Sequence, residues 1–472
     1  MLFPTIEFGF FFAFTFALAW TFQNQNLVRK AILLGLSLFF YASWNPKFVL
    51  LILAIGSISF LAGSLADASR PKTIRACALF VGVCLNLLIL IYFKYLDFIA
   101  AQFYSLSNWI GVPVPEVFVD ITLPVAISFM VFHSISYISD VHSGKMRASS
   151  SPLDIFLYIS FFPHLVAGPI VRANDFLPQL EAPADTRGIS LDENCLLILG
   201  GLFKKMVIAN YLAVNLVDPV FTDPSQFSRW DLTWAAYGYA VQIYADFSGY
   251  TDIAIGIAAL LGYRFPQNFN QPYRAIGVGD FWRRWHITLS NWLRDYLYIP
   301  LGGNRRGALH TVRNLMVTMV LGGLWHGANW TFLIWGFLHG AALVVDHGLR
   351  QTQTVARLQR NPLARAAAWA ATFHFVCFAW IFFRAPSLDV AGQFLSGLWT
   401  DNGAAGTAPW IVFPLIACGA LTQVLPADAR TIVGRMLDGQ GRAVRIGVNF
   451  VLLYGLLVMA PSRSAPFIYF QF

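Results

Sequence analysis

Charge is what this 472-residue chain has least of. Asp, Glu, Lys and Arg together make up 12% of it, against roughly 25% in a soluble domain. A soluble fold of this length could not cover its surface with so few ionic groups. Cysteine is scarce too. Cys77, Cys84, Cys195, Cys377 and Cys418 stand singly, without a C-x-x-C pair or a Cys/His cluster, which argues against a zinc site and for small apolar packing residues. No Walker A motif occurs, which speaks against ATP-driven transport. No G-x-S-x-G elbow occurs, which speaks against a serine-hydrolase domain. No acidic cluster resembles a metal site, and no soluble basic domain offers itself to nucleic acid. Internal repeats and low-complexity segments are missing as well.

What is present is apolar. The residues A, V, I, L, M, F, W, Y and C make up 57% of the chain, too hydrophobic and too aromatic for disorder. Lipid is the solvent that fits such a chain. Inside lipid only helices and closed barrels satisfy their backbone groups, and barrel strands alternate apolar with polar residues. Here the runs are unbroken: FGFFFAFTFALAW at 8–20, FVLLILAIGSISFLAGSL at 48–65, and residues 76–93 without a charge until Lys94. These are helix-length segments. The expectation is an all-α polytopic integral membrane protein with twelve crossing or re-entrant segments: 5–22, 31–44, 48–66, 76–99, 121–140, 194–216, 231–262, 312–328, 330–348, 366–383, 409–425 and 446–460. The chain reads as one membrane domain, 1–472. The first segment has Glu7 near its start and no basic lead-in, so it reads as a span rather than a cleaved signal.

The basic residues sort by side. Arg29 and Lys30, then Arg70, Lys72 and Arg75, then Lys145 and Arg147 recur every second span, whereas 101–120 has no Lys or Arg and carries Glu116 and Asp120. Arginine-rich stretches follow at 263–313, at 349–365 (Arg350, Arg357, Arg360, Arg365) and at 426–445 (Arg430, Arg435, Arg442, Arg445). The positive-inside rule makes these cytoplasmic and leaves the N-terminus on the other side of the membrane. The net charge of +8 is then mostly topological, and it also suits an anionic cytosolic ligand.

Polar residues inside apolar segments are costly, so each is a functional candidate. Asp246, Ser248, Tyr250, Thr251 and Asp252 interrupt the 231–262 segment beside Gly249. They read either as the wall of a wet cavity in a broken helix or as a polar break satisfied by neighbouring arginines. Residues 280–307 are dense in Trp and Arg. Trp282, Trp285, Leu289 and Trp292 recur at helical spacing with Arg283, Arg284 and Arg294 around them, and Gly302 and Gly303 allow a turn before Arg305 and Arg306. This stretch suits a cytoplasm-facing site for an anionic acyl donor or an interfacial anchor. In LGGLWHGANWTF at 321–332, His326 lies among glycines that permit close backbone approach. A neutral imidazole there can take a proton from a hydroxyl. His339, thirteen residues on, can line the same cavity. His164, between Pro163 and Gly168, marks a run too short to span comfortably, so a re-entrant element is expected. His133, His142, His310, His347 and His374 read as packing or interfacial residues. By composition and spacing alone, an enzyme, a transporter and an envelope scaffold all remain open. The missing inverted repeat counts modestly against the transporter.

YADFSGYTDIAIG, FWRRWHITLSNWLRDYLYIPLGGNRRG and LGGLWHGANWTFLIWG, in that order, resemble the membrane-bound O-acyltransferase family. The bacterial alginate O-acetyltransferase branch is most similar, and teichoic-acid D-alanyl transferases and peptidoglycan O-acetyltransferases share much of the pattern. LPVAISFMVFHSISYISDV at 123–141, FFPHLVAGPIVR at 161–172 and GLFKKMVIANYLA at 201–213 extend the likeness. It covers roughly 30–385, is densest at about 120–350, and is least diagnostic over 366–472, including DNGAAGTAPW at 401–410.

The resemblance implies a bowl of helices with a central tunnel. It implies that His326 and His286 are the catalytic histidines, His326 as general base and His286 as donor-positioning or second proton-transfer group. Trp325 or Asn329 would donate a hydrogen bond to the oxyanion. Asp246, Ser248, Tyr250, Asp252, Arg283, Arg284, Arg294, Arg305 and His339 would position donor or acceptor. It implies acetyl-CoA as donor, with no metal and no covalently bound cofactor. A periplasmic acetyltransferase partner and a polysaccharide acceptor such as alginate would complete the pathway, with peptidoglycan, cellulose or teichoic acid as alternatives. The setting would be the bacterial inner membrane, among its lipids. A non-enzymatic carrier of acyl groups is the remaining alternative.

Overall fold

The computed structural model describes residues 1–112, 114–115, 121–166, 168–183, 189–350, 361–400, 406, 408–426, 429–460 and 467. Glu116, Asp120, Arg357, Arg360 and most of the 401–410 loop lie outside the described residues. No β-strand occurs among the described residues. They form two compact units, one of Met1–Ile189 with Ile257–Phe265, the other of Ser190–Gly256 with Pro266–Phe472.

In the first unit, α1 (Ile6–Thr21), α2 (Asn26–Ala42) and α3 (Val49–Ala66) follow the apolar runs closely. α4 (Lys72–Leu90) continues through a π-helical turn, Ile91–Tyr95, into α5 (Leu96–Trp109). α6 (Ile127–His142) is buried along nearly its whole length. It begins six residues later than the expected span because Ala126 sits in the left-handed region at φ 63°, after Pro124. The stretch around His164 forms α7 (Pro152–Ser160) and the single-turn α8 (Phe162–Leu165), both too short to cross a bilayer. α9 (Ala173–Glu181) closes this segment.

Two of the positive charges that mark sidedness behave differently from the rest. Arg29 and Lys30 are buried in the first turns of α2. The Arg29 guanidinium donates to the Leu261 carbonyl and, at 3.1 Å, to the Tyr263 hydroxyl. Lys30 pairs with Asp154 at 2.6 Å. The next two basic loops are tied to each other on one face of the unit. The Ala148 amide donates to Asp67 at 3.0 Å, and Arg75 donates to the His142 carbonyl at 2.5 Å. The Ala148 and Ser69 amides hold the Asp67 carboxyl down at about 2.

The second unit opens with one 32-residue helical stretch, Leu191–Thr222. It comprises α10 (Leu191–Leu202), a π-helical segment at Phe203–Ala209, α11 (Asn210–Leu212), a second π-helical turn and α12 (Asp218–Thr222). α13 (Arg229–Leu260) belongs to this unit up to Gly256. The short helices α14 (Val278–Trp282) and α15 (Ile287–Leu293) precede α16 (Ala308–His326), α17 (Trp330–Arg350) and α18 (Pro362–Arg384). α19 (Leu388–Thr400), α20 (Val412–Leu421), α21 (Ala429–Asp438) and α22 (Arg442–Met459) complete the unit.

Of the twelve expected segments, six are matched by stretches that are long and apolar enough to cross a membrane: Pro46–Ala66, Lys72–Trp109, Leu191–Thr222, Trp330–Arg350, Pro362–Arg384 and Arg442–Met459. Ile6–Thr21 and Val412–Leu421 are apolar but shorter. α13 has the length, and its polar residues dilute its hydropathy.

Candidate active site

The site grows from the α16–α17 hairpin. The two helices approach through glycine. A Cβ on Gly323 would lie 2.2 Å from the Phe332 carbonyl oxygen, and one on Gly336 would lie 2.4 Å from the Met319 carbonyl oxygen. Both obstacles are backbone, so neither can yield without separating the helices. Gly336→Val should therefore lower the melting temperature of the detergent-purified protein by several degrees, as overpacking costs roughly 1–3 kcal/mol or more. Gly348→Ala on the same helix, where a Cβ meets nothing within 4 Å, should leave it unchanged. Equal melting of both variants would show that the close approach is not needed.

This approach buries His326 at the C-terminal end of α16, where it is 4% exposed. Its ring lies edge-on to Trp325, Trp335 and Phe383, at centroid distances of 4.9, 5.1 and 5.0 Å. Trp335 passes the cluster on to His339, 4.7 Å away. The indole of Trp282 donates to His339 Nδ1 at 3.2 Å.

His286 also lies near Trp325, with ring centroids 6.3 Å apart. It is fully buried and left-handed, at φ 42°. Its Nδ1 meets Asn268 Oδ1 at 3.1 Å. That oxygen also accepts from the Thr288 amide at 3.2 Å and the Thr288 hydroxyl at 2.9 Å. A backbone amide can only donate, so this Asn268 atom is the carbonyl oxygen, and the His286 proton sits on Nδ1. The Nε2 lone pair has no hydrogen-bond partner among the described residues. Burial pushes the imidazole down to about 3, so the ring is neutral at physiological pH. The tautomer is therefore that of a proton acceptor. Asn268 was not among the residues singled out from sequence, because nothing local ties it to a histidine 18 positions away.

The other expected residues sort differently. Asn329 is committed to structure: its amide donates to the Pro386 carbonyl at 2.9 Å, and its oxygen accepts from the Thr331 amide at 3.1 Å. Asp246, Ser248, Tyr250 and Asp252 do not break the helix, since α13 runs through them. Lysines rather than arginines answer them. Lys205 pairs with Asp246 at 3.0 Å, with side chains only 1% and 3% exposed. Lys204 pairs with Asp252 at 2.5 Å and donates to Ser248 at 3.0 Å. Lys205 also lies over the Tyr250 ring, at 5.7 Å. A lysine pair in an apolar run was the available signal.

The arginines divide. Arg283 and Arg284 both pair with Asp280, at 3.4 and 3.1 Å. Arg294 pairs with its neighbour Asp295, and Arg305 is exposed. Of these four, Arg283 lines a cavity of about 520 Å³ between α14, α17 and α18. Arg350 and Arg365, not among the expected site residues, share that cavity. Its wall also includes Phe375, whose ring lies 5.4 Å from His339. Gly302 and Gly303 do adopt positive φ, 111° and 56°, and the buried Asn314 amide donates to the Gly303 carbonyl at 2.8 Å. His164 lies in the first unit against His133, with ring centroids 4.6 Å apart. No group of three or more His, Cys, Asp or Glu is placed to hold a metal among the described residues.

Comparison with known proteins bears on this arrangement. The model of the membrane-bound O-acyltransferase family matches residues 125–385. The chain is 37% identical to the probable alginate O-acetylase AlgI of Azotobacter vinelandii, over 94% of this chain and 95% of that protein. It is 39% identical to the protein of the same name from Pseudomonas putida, over the whole of both. It is 37% identical to the peptidoglycan O-acetyltransferase of Helicobacter pylori, over 81% of this chain and 76% of that protein. The chain thus belongs to the membrane-bound O-acyltransferase family and is a multi-pass membrane O-acyltransferase.

Proposed function

We propose that this chain moves an acetyl group from cytosolic acetyl-CoA to a hydroxyl of an extracytoplasmic polysaccharide, by way of a periplasmic acetyltransferase partner, and that it sits in the bacterial inner membrane with its N-terminus in the periplasm. The observation that carries this reading is the buried cluster of His286, Trp325 and His326, continued through Trp335 and His339 to Phe375 on the wall of a cavity that Arg283, Arg350 and Arg365 also line. The arginines suit the phosphates of a CoA donor. His326 acts as general base on the acceptor hydroxyl, and His286, with its open Nε2, positions the donor or carries a second proton. The polar groups of α13 and the exposed arginines at 294 and 305 keep donor and acceptor in register. The AlgI relatives favour alginate or a similar polymer as acceptor. The Helicobacter relative favours peptidoglycan as the second reading.

Radiolabelled acetyl-CoA, supplied to inverted membrane vesicles containing the chain and its neighbouring transferase, tests both readings. Alkali-labile label on an exopolysaccharide is expected. Label on glycan strands instead would move the assignment to peptidoglycan. Label delivered only from a protein-bound thioester would remove acetyl-CoA as the direct donor.

A further inference from the structure

We infer that Trp335 and His339 form the hydrogen-bond pair that holds the acyl oxygen during transfer. This rests on the reading that transfer occurs at His326. The two residues stand one turn apart on α17, on a shared face, with rings 4.7 Å apart. They are 1% and 0% exposed. Neither Trp335 Nε1 nor His339 Nε2 has a hydrogen-bond partner among the described residues. The state of His339 follows from its neighbour. The Trp282 indole can only donate, so His339 Nδ1 accepts and the neutral ring carries its proton on Nε2. One helix face therefore presents two buried N–H donors with no acceptor among the described residues. Such donors are costly to bury unless something accepts from them. His326 lies 5.1 Å from the Trp335 ring, almost perpendicular to it.

Both donors are neutral, which suits an oxygen that becomes negative only transiently rather than a permanent anion. Permanent phosphate charge is matched instead by the arginines at the cavity rim. In the step itself, the acceptor hydroxyl oxygen forms a bond to the thioester carbonyl carbon and its proton passes to His326. The carbonyl π electrons move to oxygen, where the N–H groups of Trp335 and His339 hold them. The C–S bond then breaks, and the leaving sulfur takes the proton back from His326. Asn329, with its amide committed to Pro386, leaves this role to the pair.

The test is acetyl transfer by membranes carrying the full chain, with yield and monodispersity checked by fluorescence-detected size exclusion. Trp335→Phe keeps an aromatic ring and removes the donor. It should lower kcat on the order of 10²-fold, the usual effect of losing one oxyanion donor, with KM for the donor little changed. His339→Phe should do the same, while His339→Gln, which keeps an N–H, should recover most of the rate. Trp335→Phe and His339→Phe at wild-type rates, beside an inactive His326→Ala, would overturn the pair and leave the base intact. The reverse pattern, with His326→Ala active and the pair variants slow, would remove the base and leave the pair. A loss confined to KM would also overturn it, because it would make Trp335 a binding residue only.

Discussion

His326→Asn reduces acyl transfer by about 10²–10⁴-fold, the range expected when a general base is removed, while the protein inserts and accumulates normally. Ring packing surrounds His326, so a side chain of moderate size can be accommodated where Trp325, Trp335 and Phe383 meet. Asparagine keeps hydrogen-bonding capacity and loses only proton uptake at working pH. The companion variant must be chosen with the backbone in mind. His286 is left-handed, a conformation that costs most residues roughly 1–2 kcal/mol and that asparagine tolerates. His286→Asn therefore tests the imidazole, whereas His286→Ala would mix chemistry with strain. Transfer rates of the two asparagine variants, measured on equal amounts of folded protein, separate the roles. A wild-type rate for His326→Asn, with loss in His286→Asn, would move the base to His286, whose open Nε2 is ready for it.

The second large effect concerns stability. Lys205→Met leaves Asp246 buried without its cation, and breaking one side of a buried ion pair costs about 3–5 kcal/mol. The pair is almost wholly excluded from solvent, so no water can substitute. The expected result is a drop in melting temperature of many degrees, or failure to accumulate. Lys205→Met combined with Asp246→Leu should recover most of that loss, since apolar replacement of a buried pair is often neutral or better. If the double variant is as unstable as the single one, the instability comes from lost lysine packing rather than from the stranded charge.

Much of the helical order was legible because long apolar runs end at prolines and charges. The segment expected at 48–66 is the helix Val49–Ala66, and that expected at 366–383 lies within Pro362–Arg384. Amphipathic helices were harder to read. Leu388–Thr400 and Ala429–Asp438 are helices where charges and small residues suggest loops. The histidines and glycines of the hairpin were legible as chemistry because each is expensive in an apolar setting. Their partners were not. Lys205 lies 41 positions before Asp246, and Arg365 reaches the cavity of Arg283 from another helix. Linear spacing says nothing about such meetings, so the polar run in α13 looked like a break when it was half of a pairing.

The π-helical segment at Phe203–Ala209 has a consequence for chain length. A π-turn holds one more residue than the α-turn it replaces. That surplus residue sets the phase in which the adjacent lysines at 204 and 205 both meet α13. Removing one residue from the segment would close the wide turn to regular α-helix and leave the helix beyond it in nearly the same phase, because the surplus residue is taken up within the turn itself. Apart from its two lysines the stretch looks like an ordinary run of apolar residues, and apolar-for-apolar substitutions in it can be absorbed. A deletion there would cost the wide turn itself, and with it the placement of Lys204 and Lys205 against Asp252 and Asp246.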